Sequence, residues 1–200
     1  MPNYRRSLLE GGTYFFTVVT EGRQPILLEP GRTLLRQSFR QCLDEFPFTI
    51  DAIVVLPDHL HAVWSLPVGD AEYSKRWGFV KKEFTSAWLA TGHREHPISQ
   101  ARRRERRRGV WIPRFWEYTI RDERDYARHV DYIHYNPVKH GHVRCPHAWS
   151  ASSFHRAVRH GLYRPDWGCA CYRQEPPAMT FDDLEGTVGE DFEKWVATKL

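Results

Sequence analysis

A chain of 200 residues, 41% hydrophobic and 14% aromatic, can build one ordinary core and is too short for two large domains. Twenty-nine Lys and Arg against 25 Asp and Glu leave a net charge of +4 and a pI near 8.9, a mildly basic balance and by itself only weak evidence for a polyanionic partner. No apolar run approaches the roughly 18 residues of a membrane span, and no signal peptide is evident, so a soluble cytoplasmic protein is expected.

Thr13 to Thr20 (TYFFTVVT) is aromatic and β-branched, which predicts a first strand after the Gly11-Gly12 turn. Arg5 and Arg6 precede it as a basic arm. Leu34, Leu35, Phe39, Cys42 and Leu43 recur near helical spacing and predict a packing helix from Arg32 to Glu45. Thr49–Leu56 and His59–Leu66 read as two strands joined at Pro57-Asp58. A second helix follows from Glu72 to Thr91, with Trp77, Val80, Phe84 and Trp88 on its apolar stripe. Strand, helix, strand, strand, helix is the first part of a ferredoxin-like α+β arrangement, a central antiparallel sheet flanked by helices.

Residues 94–108 hold seven arginines and almost no apolar side chain, predicting a mobile loop whose like charges call for a polyanion or for solvent. Trp111, Phe115 and Trp116 then either stack on unpaired bases, with Arg114 beside them, or plug the core beneath the loop. Glu117–Ile120 reads as a fourth strand. A third helix begins at Arg121-Asp122-Glu123, with acids in its first turn, and is expected to end at Asn136, because Pro137 disfavours helical geometry there. Residues 168–179 read as a linker, and 180–200 as an acidic tail that is either solvated or folded over the basic surface. Cys42, Cys145, Cys169 and Cys171 form no CxxC pair; Cys169-X-Cys171 is a poor zinc spacing with no obvious second pair, so reduced thiols are expected.

Two features carry chemistry. His59 and His61 alternate on one strand and so project from one face, where two imidazoles could hold a divalent metal and leave positions for a third ligand and a substrate oxygen, or simply form a polar face. Tyr132 and Asn136 stand four apart and share a helix face, while Tyr135 is rotated away by about 100°. Lys139 follows as a phosphate contact.

These residues together resemble a known family. His59-Leu60-His61 opening a strand, then Tyr132-Ile133-His134-Tyr135-Asn136-Pro137-Val138-Lys139-His140-Gly141, are similar to the single-tyrosine HUH transposases, and within them to the REP-associated tyrosine transposases. Further likeness lies in Tyr4-Arg5-Arg6, in Gly11-Gly12-Thr13-Tyr14-Phe15-Phe16-Thr17, in Pro113-Arg114-Phe115-Trp116-Glu117 and in Trp149-Ser150-Ala151-Ser152-Ser153-Phe154-His155. The arginine loop departs from the family's shorter pattern. The resemblance implies a ferredoxin-like HUH domain over residues 1–167, followed by the linker and tail at 168–200. It implies Mg²⁺ or Mn²⁺ held by His59, His61 and Asn136, with Tyr132 as the nucleophile that forms a 5′-phosphotyrosine. It also implies cleavage and strand transfer on single-stranded DNA at REP-type palindromic hairpins, DNA contacts from Arg5, Arg6, Arg114 and Lys139, and a monomer. Tyr135 is the rival nucleophile. Two other readings are a catalytically inactive hairpin-binding protein and a histidine-based phosphoesterase.

Overall fold

A computed structural model describes residues 8–170, 179–184 and 187–189. Its centre is a four-stranded antiparallel sheet in the order β2-β3-β1-β4, built from Thr13–Val19 (β1), Thr49–Val55 (β2), His59–Ser65 (β3) and Trp116–Thr119 (β4). This order, with helices Gly31–Glu45 (α1) and Tyr73–Ala90 (α2) between the strands, is the ferredoxin-like arrangement expected.

Alternation along β1 and β3 sends two sets of side chains to two cores. Tyr14, Phe16, Val18, Leu60, Ala62 and Trp64 join α1 and α2 on one face. There Trp64 and Trp77 stack with ring centroids 4.1 Å apart and planes 18° from parallel, and the edge of Phe16 meets Trp77 at 5.5 Å. On the other face Phe15 and Val63 meet Val130, Tyr132 and Ile133 of the helix Glu123–Lys139, labelled α4. His59 and His61 share this second face. The helix starts where its acids predict: the Asp122 carboxylate accepts the Asp125 N–H at 2.8 Å.

The structure departs from the sequence reading at three places and decides between two alternatives at a fourth. The loop 94–108 is not loose: its short helix Gln100–Arg104 (α3) is capped by Ser99, Arg102 pairs with both oxygens of Glu21 at 2.7 and 2.8 Å, and Arg108 pairs with Glu95 at 2.8 Å. Acids outside the arginine run thus neutralise part of it. Trp111 and Phe115 are buried in the α1/α2 core, which makes them a plug. Helix α4 runs through Pro137 to Lys139. The missing N–H costs one bond in the last turn, and burial of Pro137 and Val138 offsets it. Finally, Cys145 is disulfide-bonded, while Cys42 and Cys169 are free. No helix among the described residues is long and apolar enough to cross a membrane.

The Trp64–Trp77 stack ties the sheet to α2. Trp64→Ala should therefore cost about 3–5 kcal/mol, read as a lower urea midpoint at unchanged slope.

Candidate active site

The turn before β3 positions the first histidine. Leu56 N–H donates to His59 O at 2.9 Å, and Thr20 donates to Asp58 O through both its N–H (2.9 Å) and its hydroxyl (2.8 Å). The Asp58 carboxylate is thereby aimed at His59 Nδ1, 2.6 Å away, with Arg23 on its other oxygen at 3.3 Å. Burial works against the Asp58 charge, but the hydrogen bond to His59 and the neighbouring charges of His59 and Arg23 hold its pKa at about 2. An ionised carboxylate accepts only, so His59 Nδ1 carries a proton and only Nε2 can offer a lone pair.

Register positions the second histidine. Thr17 lies directly opposite His61 in the β1–β3 ladder, and its hydroxyl is 2.8 Å from His61 Nδ1. That hydroxyl gives its only proton to Val188 O at 2.6 Å, so it accepts from His61 Nδ1–H. His61 Nε2 then bears the lone pair. Burial, reinforced by the charges of His59, His140, Lys139 and Arg23, holds the His61 pKa well below its ordinary value, so the ring is neutral.

Helix α4 brings the remaining groups. The Tyr132 ring lies 5.2 Å from the His61 ring, and Lys139 Nζ stands 5.0 Å from the centre of the Tyr132 ring. The His140 ring is 5.3 Å from His59. Asn136, one turn beyond Tyr132, is fully buried. Its Oδ1 and Nδ2, together with His61 Nε2, are buried atoms that make no hydrogen bond among the described residues. Buried polar groups in native proteins are nearly always satisfied, so a neutral imidazole nitrogen and an amide oxygen in this state fit a divalent cation.

The structure therefore gathers His59, His61, Tyr132 and Lys139, with Asn136 on the same helix. Arg114 is exposed just before β4, at the end of the sheet where β3 begins. Arg5 and Arg6 lie outside the described residues. Tyr135 faces Trp167 and Phe181 at 6.2 and 5.9 Å, away from the histidines, and burial raises its pKa. His129 and His134 serve the packing: His129 Nδ1 meets Asp125 O at 2.8 Å, and His134 Nε2 meets Ser153 Oγ at 2.9 Å. Sequence reasoning missed Thr17, Arg23 and Asp58. Asp58 was legible as the carboxylate beside His59; Thr17 enters only through strand register.

A short segment covers the tyrosine. Phe181 lies 5.4 Å from the Tyr132 ring, Thr187 O accepts from Trp116 Nε1 at 2.6 Å, and Arg128 pairs with Asp183. Tyr132 is 0% exposed. The described part of the acidic tail is thus packed on the site face through Phe181, Leu184 and Val188, with Asp182 and Asp183 exposed.

The ferredoxin-like sheet thus presents two histidines on the face where α4 supplies a tyrosine and an asparagine. No protein-family model matches the chain. It is 43% identical over 167 residues to the REP-associated tyrosine transposase of Escherichia coli, covering 84% of this chain and 91% of that one. A relative from Haemophilus influenzae with the same family description is 42% identical over 168 residues, covering 84% and 94%. A solved structure of a REP-associated tyrosine transposase bound to a REP hairpin matches with a TM-score of 0.71 at 43% identity, covering 84% and 91%. The chain belongs to the REP-associated tyrosine transposases.

Because Phe181 and Leu184 shield Tyr132, replacing both with alanine should raise nitration of Tyr132 by tetranitromethane, mapped by mass spectrometry, above the wild-type level. Unchanged nitration would mean that the segment does not control access.

Proposed function

We propose that the chain cleaves and rejoins single-stranded DNA beside REP-type hairpins, with Tyr132 as nucleophile and His59, His61 and Asn136 as ligands to Mg²⁺ or Mn²⁺. The observation that carries this reading is the pair of Nε2 lone pairs fixed by Asp58 and Thr17 on the face that Tyr132 occupies. When bound there, a divalent ion would neutralise charge on the scissile phosphate.

Tyr132 Oη attacks the phosphorus, the P–O3′ bond breaks, and the phenolic proton is lost to solvent or a nearby base. The DNA 3′-oxygen leaves and is protonated, and a 5′-phosphotyrosine remains. A later 3′-hydroxyl attacks the same phosphorus and expels Tyr132, so strands rejoin without a nucleotide cofactor. Lys139, above the Tyr132 ring, favours the phenolate electrostatically and can contact the phosphate. Arg114 and the partly neutralised arginines of 102–108 offer a basic path for the DNA backbone, to which Arg5 and Arg6 would add. Phe181 and Val188 must leave the Tyr132 face before a phosphate can enter. Histidines, tyrosine and asparagine come from one chain, which supports action as a monomer.

A labelled palindromic hairpin with its unpaired flank, incubated with protein and Mn²⁺, tests the reading on denaturing gels. Wild type should form a covalent protein–DNA adduct that is absent with chelator and absent in Tyr132→Phe. Cleavage without an adduct would move the chemistry to water and the histidines; binding alone would leave a hairpin-binding protein. Thr17→Val keeps shape but removes the acceptor of His61 Nδ1–H, so it should weaken Mn²⁺ binding by roughly 10- to 100-fold in a titration, with the fold retained by circular dichroism.

A further inference from the structure

A second group of metal-ligand side chains lies behind α4, apart from the histidine pair. Among the described residues, Cys145, His147 and Cys169 place one ligand atom each within 4.8 Å of one another. His147 Nδ1 and Cys169 Sγ are 3.4 Å apart. A tetrahedral zinc ion with Zn–N of about 2.0–2.1 Å and Zn–S of about 2.3 Å separates such atoms by about 3.6 Å. The observed spacing is that of two neighbouring corners of a zinc tetrahedron.

The backbone holds the two ligand segments together. Ala170 N–H donates to Arg144 O at 2.9 Å, and the Arg144 guanidinium returns a bond to Ala170 O at 3.3 Å. His147 sits in the single turn Pro146–Ala148. Gly168 has φ +67°, and a Cβ there would come within 3.1 Å of the Tyr135 ring and 3.2 Å of Pro146, so the approach of the Cys169 segment depends on glycine. In sequence, Cys145-Pro-His147 supplies a second ligand pair beside Cys169-Ala-Cys171. Cys145 is buried, Cys169 half-buried and His147 exposed, which leaves an entry side for the ion.

We propose that Cys145, His147 and Cys169 form a structural zinc site in the reduced protein, and that the disulfide at Cys145 withholds one of its ligands in the oxidised protein. Two-electron reduction by a thiol or phosphine converts that disulfide into two thiols. Zinc binding then displaces the thiol protons of Cys145 and Cys169 and takes the lone pair of His147. Soft thiolates select Zn²⁺, whereas the His59, His61 and Asn136 set offers no sulfur and suits Mg²⁺ or Mn²⁺ less selectively. The two centres would therefore load with different ions. The zinc site would pin the segment carrying Trp167 and Gly168 against Tyr135, on the helix that bears Tyr132.

Full-length protein, reduced with a phosphine and stripped of metal, is titrated with Zn²⁺ against a chromophoric chelator and separately with Co²⁺ by absorbance. The expected result is one tight Zn²⁺ per chain and a Co²⁺ spectrum with thiolate charge-transfer bands. Cys169→Ser and His147→Ala should each weaken binding by more than about 100-fold, beyond the loss typical of an outer-shell change. Cys42→Ser and the double variant His59→Ala/His61→Ala should leave it unchanged. Both cluster variants alter side chains that are at least partly exposed, so circular dichroism should find them folded. Failure of folded, reduced wild type to take up zinc would overturn the proposal, as would uptake lost in His59→Ala/His61→Ala but kept in Cys169→Ser.

Discussion

The site depends on the pairing of β1 with β3. Because Thr17 stands directly across from His61, one hydroxyl sets which imidazole nitrogen carries the proton and which one faces the cavity. A one-residue slip would turn His59 and His61 into the α1/α2 core and send Leu60 and Ala62 to the α4 face. The stacked tryptophans on the far side resist that slip, since Trp64 would lose its place against Trp77. The apolar packing of one face thus holds the polar chemistry of the other in register. The two histidines are oriented differently, one by a charged carboxylate and one by a neutral hydroxyl, yet both present Nε2.

The same constraint explains what could be read from the sequence. Period-two alternation is local, so the strands, the shared face of His59 and His61 and the ferredoxin-like order were all legible. Helical spacing likewise placed Tyr132 and Asn136 together. Long-range partners were not legible: Thr17 and His61 are 44 residues apart, and Arg102 and Glu21 are 81 apart. Counting charges inside residues 94–108 could not reach Glu21, and did not pair Glu95, within the stretch, with Arg108; both carboxylates order that loop. At Pro137, a local rule about the preceding residue was outweighed by burial of the last turn of α4. The cysteines were paired only with each other, which hid the histidine in Cys145-Pro-His147.

The closed arrangement has a functional consequence. Tyr132 is fully buried, and part of its cover is the segment that also receives the Thr17 hydroxyl at Val188 O. Displacing that segment frees the Thr17 proton to reorient, so on the function proposed above uncovering Tyr132 and adjusting the partner of His61 are one event. A hairpin-binding surface that draws the acidic segment away would couple substrate arrival to an open site.

On the function proposed, two imidazoles held by Asp58 and Thr17 offer Nε2 to one divalent ion. Electron spin-echo spectroscopy of bound Mn²⁺ measures this directly through coupling to imidazole nitrogen. Two coupled nitrogens in wild type and one in His61→Ala are predicted. Mn²⁺ bound with no nitrogen coupling, or coupling unchanged in His61→Ala, would contradict it.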